Sequence, residues 1–143
     1  VHGATAYTTV RGPAGSLEVG RWHHIAGSFD GERVRLYVDG KLIASAVSEG
    51  PRRTTRLDLM IGGDVDGQNR LDSPFHGMID AVRISRGARY TSETIDVKRR
   101  LERDENTILL LNFDGKVGPW IVDESKQQRQ ITPQGSPSLV PAD

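Results

Sequence analysis

Apolar and polar positions alternate most cleanly along Arg33-Val34-Arg35-Leu36-Tyr37-Val38, a period of two that puts Val34, Leu36 and Val38 on one face of a strand and Arg33, Arg35 and Tyr37 on the other. Asp39-Gly40 follows directly. Gly tolerates positive φ and Asp can bond its own backbone, so the dipeptide predicts a two-residue hairpin turn. Lys41-Leu42-Ile43-Ala44-Ser45-Ala46-Val47 is the expected return strand. Upstream, residues 22–29 read as a third strand closed by the Asp30-Gly31 turn. Its facing is ambiguous, because Trp22, His24, Ala26 and Ser28 compete with His23, Ile25, Gly27 and Phe29 for the inner side. Three strands at such short spacing make a meander.

Beyond a polar stretch over residues 48–56, Leu57-Asp58-Leu59-Met60-Ile61 reads as a short strand ended by Gly62-Gly63. Residues 64–74 form a loop rich in Asp, Asn and Gly. Residues 78–84 read as another strand, with Asp80 on the face of Met78, Val82 and Ile84. The one predicted helix covers residues 92–103, capped by Thr91 or Ser92, with Val97 and Leu101 on a narrow apolar stripe and Lys98 four before Glu102. Ile108-Leu109-Leu110-Leu111-Asn112-Phe113 is the most hydrophobic strand, and Trp120-Ile121-Val122 a further one. Residues 1–10 suit a weak edge strand, and Ile131 opens a last weak segment before Pro133, Pro137 and Pro141 keep the tail irregular. About seven to nine short strands separated by turns predict an all-β sandwich or jelly roll.

Composition narrows this picture. At 143 residues the chain is long enough for one hydrophobic core. It has no cysteine, which excludes disulfides and thiolate metal sites. Lys plus Arg and Asp plus Glu stand at 19 each, so no global field steers the chain toward nucleic acid or a membrane surface. No apolar run approaches the about 18 residues of a membrane span. Val1 is not an initiator methionine, and the chain is expected to be processed or cut from something longer.

The block Trp22-His23-His24-Ile25-Ala26, Asp30-Gly31, Leu36-Tyr37-Val38-Asp39-Gly40, Ile61-Gly62-Gly63 and Phe75-His76-Gly77-Met78-Ile79-Asp80-Ala81-Val82-Arg83-Ile84 resembles laminin G-like domains of the concanavalin A-like lectin and glucanase fold. The resemblance implies an antiparallel jelly-roll β-sandwich, in secreted, periplasmic or cell-surface proteins, that binds a glycan or protein ligand. Residues 1–90 then form the sandwich core and residues 91–106 a charged connector. Residues 107–113, followed by Val122-Asp123-Glu124-Ser125, resemble the segment that normally opens such a domain. Residues 107–143 therefore either begin a following repeat or return to complete this sandwich, and a partner chain or neighbouring repeat is expected to supply any missing strands.

Asp64, Asp66, Asn69 and Asp72 share one loop, and hard oxygen ligands there suit calcium, although Phe75 stands where an EF-hand requires Glu. The alternative is a solvated turn whose side chains bond the backbone. Asp80, in an otherwise apolar strand face, is expected to be buried and to need a partner such as Arg83 or loop backbone. Trp22, Asp39, Gly40 and Gly77 read as structural. His23 and His24 point to opposite faces of a strand and cannot jointly chelate an ion. Arg52, Arg53 and Arg56, and the group Lys98, Arg99, Arg100 and Arg103, offer cations to sulfated glycans or simply a solvated face. Tyr7, Tyr37, Tyr90 and Trp120 are candidates for stacking on sugars. No strand carries the paired carboxylates of a glycosidase, so the chain is expected to be non-catalytic. The leading expectation is a recognition module; the runner-up is an assembly domain completed by a partner chain, with polysaccharide-directed catalysis behind both.

Overall fold

The computed structural model describes residues 8–48, 54, 56–117, 120–134 and 137–140. Nine strands follow in order among them: β1 (Ile25–Phe29), β2 (Arg33–Val38), β3 (Lys41–Val47), β4 (Asp64–Val65), β5 (Leu71–Asp72), β6 (Val82–Ser85), β7 (Thr107–Leu111), β8 (Lys116–Val117) and β9 (Trp120–Ile121). Every pairing is antiparallel: a sheet in the order β1-β2-β3, then the pairs β4-β5, β6-β7 and β8-β9. The architecture is all-β, an open form of the sandwich the strand pattern predicts.

The central hairpin turns through Asp39 (φ 47°) and Gly40 (φ 80°). Two positive values give the primed turn whose twist matches the flanking strands. Val38 pairs with Lys41, and a bulge between Leu36 and Tyr37 leaves Ile43 unpaired in the register. The preceding turn is tied by Asp30, which accepts the Arg33 N–H at 2.7 Å and the Arg35 guanidinium at 2.6 Å. Those hydrogen bonds hold its carboxyl far below the usual carboxylate range.

The face of β2 that reads as polar holds the most buried aromatic. Tyr37 is fully buried. It lies edge-on to Tyr90 with ring centroids 5.9 Å apart, and its hydroxyl donates to the Ser92 carbonyl at 2.9 Å. On the same face Ser28 Oγ donates to the Tyr90 carbonyl at 2.6 Å. The ambiguity in β1 is thereby resolved: Ala26 and Ser28 face Tyr90, while Ile25 is 57% exposed.

Residues 92–103 form no helix. Their backbone bonds the hairpin instead: Leu42 N–H donates to Glu93 O and Ile95 N–H to Gly40 O, both at 2.8 Å, and Thr94 bridges Lys41. A narrow apolar stripe cannot compete with edge bonding to an ordered sheet. Residues 57–61 form no strand either, and Leu59 is 72% exposed. The strand expected over residues 78–84 shortens to β6, with Met78 and Ile79 outside it. Residues 1–7, which include His2, Tyr7 and most of the expected edge strand, lie outside the described residues, as do Arg52 and Arg53.

The late hydrophobic strand returns to its own chain. β7 pairs β6 with Val82 opposite Leu111 and Ile84 opposite Leu109. Leu109, Leu110 and Leu111 are all buried. The far edge of β7 is closed by Asp123 and Glu124: Leu110 N–H donates to Asp123 Oδ1 at 3.0 Å, and Glu124 N–H to Leu110 O at 2.8 Å. Asp123 also accepts from the Ser125 N–H and hydroxyl and from the Arg129 N–H, each at 2.9 Å. Burial pushes its carboxyl up, but these donors outweigh it and hold the group below the usual range.

Gly40 tests the packing of the connector. A Cβ there would stand 2.7 Å from Ile95 O, and φ is already positive; at Gly31 (φ 103°) a Cβ meets open space. Gly40→Ala should destabilise by at least about 2 kcal/mol and Gly31→Ala by about 1 kcal/mol, read from urea unfolding. Equal losses would disprove the close approach. Asp123→Ala should cost about 2–4 kcal/mol, because it strips a buried carboxylate from four donors.

Candidate functional site

The residues around Tyr90 also build a trough. Arg83, on β6, donates to the Tyr90 hydroxyl at 2.8 Å and to the Glu102 carbonyl at 3.3 Å. Ile95, Asp96, Lys98 and residues 101–104 form the opposite bank, and His24, which precedes β1, also lines it. The trough is open to solvent on one side and has a volume of about 350 Å³, lined by His24, Arg83, Tyr90, Asp96, Lys98 and Arg103 among others. Its charges are of both signs. Lys98 lies 3.8 Å from Glu102, Arg103 reaches the Glu124 carbonyl at 3.5 Å, and Arg89 pairs with Asp104. The Arg89 guanidinium and the Thr107 hydroxyl lower the Asp104 carboxyl to about 2.

His24 is held by its backbone. Its N–H donates to Asp39 Oδ1 and its carbonyl accepts the Asp39 N–H, both at 2.9 Å. Burial lowers the pKa of its ring, nearby Arg83 adds to that, and Asp39 opposes it. The imidazole is therefore neutral at pH 7, and its Nδ1 is enclosed with no hydrogen-bond partner among the described residues. The adjacent His23 faces elsewhere: its Nδ1 meets Asp39 Oδ2 at 2.8 Å and its Nε2 meets the Glu18 N–H at 2.9 Å. Together His23 and His24 hold the Asp39 carboxyl below its usual range, the His24 amide contributing most.

Asp64, Asp66, Asn69 and Asp72 sit on the β4-β5 hairpin, with Asp64 and Asp72 directly opposite. Asp66 accepts from the Gln68 and Arg70 N–H groups at 2.8 and 3.0 Å and pairs with the Arg70 guanidinium at 2.8 Å. Asn69 is turned the other way, exchanging hydrogen bonds with Asp58 at 2.5 and 2.7 Å. Among the described residues no group of three or more His, Cys, Asp or Glu could hold a metal ion. Asp66 thus closes the turn, and Asn69 ties the hairpin to Asp58.

Asp80 is exposed, contrary to its expected burial, because residues 78–81 leave the sheet and Arg83 is engaged by Tyr90 and Glu102. Gly77 is also exposed, with the Phe75 ring 2.6 Å from where a Cβ would stand. Trp22 precedes β1 and is 59% exposed. Of the other aromatic candidates, Tyr37 and Tyr90 are committed to each other and Trp120 is half-buried. Arg100 is taken by Asp114 and Glu124, and Arg56 is exposed. Sequence reasoning passed over His24, Arg83 and Asp96 as site residues. Arg83 alone carried a signal, as a charge inside an apolar strand.

A family model of the laminin G type, described as the concanavalin A-like lectin/glucanases superfamily, matches residues 1–95. The chain belongs to this family. The laminin G-type match spans the hairpin sheet, β6 and the start of the connector, and therefore one bank of the trough. No curated protein and no solved structure matches the chain. No helix among the described residues is long and apolar enough to cross a membrane.

Acid should act on this domain in two stages. His24 has a lowered pKa in the fold, so the unfolded chain takes up its proton first, and stability falls as pH drops below 6.5 toward the folded value. The carboxyls of Asp39, Asp66, Asp104 and Asp123 are depressed, so their contribution is complete above 3.8 and is lost below it, down to about 2 for Asp104. His24→Gln should remove the upper stage and spare the lower in melting curves across that range. An unchanged upper stage would show that His24 is not its source.

Proposed function

We propose that this laminin G-type domain is a non-catalytic recognition module that binds carbohydrate in the trough between Arg83 and residues 95–104. The observation that carries this reading is the lining itself. A row of fixed donors and acceptors of both signs, rather than one dominant charge, matches the hydroxyls of an oligosaccharide. The neutral His24 ring and the anchored Tyr90 add an apolar wall to those polar groups. Membership of the superfamily agrees with a sugar ligand, and such a module would work outside the cytoplasm, secreted or at a cell surface.

Calorimetric titration with neutral, carboxylated and sulfated oligosaccharides tests the assignment. At least one class should give saturable binding. Lys98→Ala and Arg103→Ala, on an exposed bank, should each weaken it about tenfold while leaving the melting temperature in place. Saturable binding that neither variant weakens would move the site elsewhere, and no binding by any class would defeat the carbohydrate reading.

A further inference from the structure

The charges that line the trough do not balance. Arg89 pairs with Asp104, and Lys98 lies 3.8 Å from Glu102, so these four cancel. Arg83, Arg103 and Asp96 are left, and His24 is neutral at pH 7, so the lining carries one net positive charge. Asp96 is exposed, where water solvates it. Arg83 is half-buried, and a guanidinium drawn partly out of water calls for a counter-charge.

Neither arginine meets a carboxylate among the described residues. Arg83 donates to the Tyr90 hydroxyl at 2.8 Å and to the Glu102 carbonyl at 3.3 Å, and Arg103 donates to the Glu124 carbonyl at 3.5 Å, all of them neutral acceptors. A guanidinium has more N–H groups than those bonds use, so each keeps donors for a ligand. The bond from Arg83 to the Glu102 carbonyl also brings the two arginines together, since Arg103 is the next residue along the chain. Tyr90 packs edge-on against the buried Tyr37, so the head group of Arg83 is held in place with its charge uncompensated. Such a group is preorganised for an anion.

On the reading that the trough binds carbohydrate, we propose that its ligand is an acidic sugar with a single carboxylate, a uronic acid within an otherwise neutral oligosaccharide, and that Arg83 and Arg103 read that carboxylate. Guanidinium and carboxylate match in planar, two-point geometry, which a hydroxyl does not offer. One carboxylate neutralises the one net charge of the lining. A polysulfated chain would instead bring several negative charges against Asp96, Glu102 and Asp104 and is rejected by them.

Calorimetric titration tests this with short oligosaccharides that carry one uronate on a xylose, galactose, glucose or N-acetylglucosamine backbone, with their carboxyl-reduced counterparts, and with a heparin octasaccharide. At least one uronate form should bind about tenfold more tightly than its reduced counterpart and than heparin. Arg83→Gln should erase that preference. Should that variant fail to fold, the exposed Arg103→Gln reads the same seat and should cut the preference severalfold with an unchanged melting temperature. Asp96→Asn, also exposed, should tighten the uronate form a few-fold and leave the reduced one as it was. Equal affinity for both members of every pair, heparin binding more tightly than every uronate form, or a preference untouched by Arg103→Gln would overturn the proposal. The first of these outcomes leaves the carbohydrate reading standing, whereas binding of no oligosaccharide at all would bring down both.

Discussion

A hairpin turn through Asp39 and Gly40 leaves the Gly40 carbonyl directed away from the sheet, and Ile95 N–H occupies it at 2.8 Å. The approach is so close that only a hydrogen fits on the Gly40 Cα, with Ile95 O 2.7 Å from the Cβ position. Leu42 N–H and Thr94 extend this contact along β3. From that seam the rest of the arrangement follows. Residues 90–95 are pulled across the face of β2, Tyr90 comes to rest on Tyr37, and the Tyr90 hydroxyl is then within reach of Arg83 on β6. One backbone contact thus aligns the hairpin sheet with the β6-β7 pair and leaves the trough between them.

A second tie works in the opposite direction along the chain. Asp123 gathers the amides of Leu110, Ser125 and Arg129, and so seals an edge that would otherwise be free on the most hydrophobic strand. Closed edges carry no further partner, which makes the contrast with β1 instructive. β7 is flanked on one side by β6 and on the other by a carboxylate loop. β1 has β2 on one side and, among the described residues, nothing on the other. Among the described residues, one edge is closed by a side chain and the other has only β2 beside it.

The hairpin was legible in the sequence because its information is local. Alternation over residues 33–38 and the demand for positive φ at Asp39-Gly40 need no knowledge of the rest of the chain. The pairing of residues 107–111 with residues 82–85 was one of two readings, because a run of Ile and Leu states that it must be buried but not against what. The helix over residues 92–103 failed for a related reason. The Lys98–Glu102 spacing was real, and that ion pair does sit at 3.8 Å, but it does not anticipate a sheet edge that bonds the same backbone. Asp80 and the Asp64–Asp72 loop show the same limit for side chains. Their chemistry was readable, while their partners were not: Arg83 goes to Tyr90 and Glu102, and Asp66 goes to Arg70.

The failed helix is also what makes the trough possible. Wound into a helix, residues 95–104 would rise about 1.5 Å per residue and put Lys98 on the face opposite Asp96 and Arg103. Unwound, they run beside Arg83 and bring those three side chains to one cavity. The backbone bonds of residues 93–95 to the hairpin therefore do more than fasten a connector. They keep a charged stretch beside Arg83, and the geometry of a two-residue turn in one part of the sequence sets the lining of a trough in another.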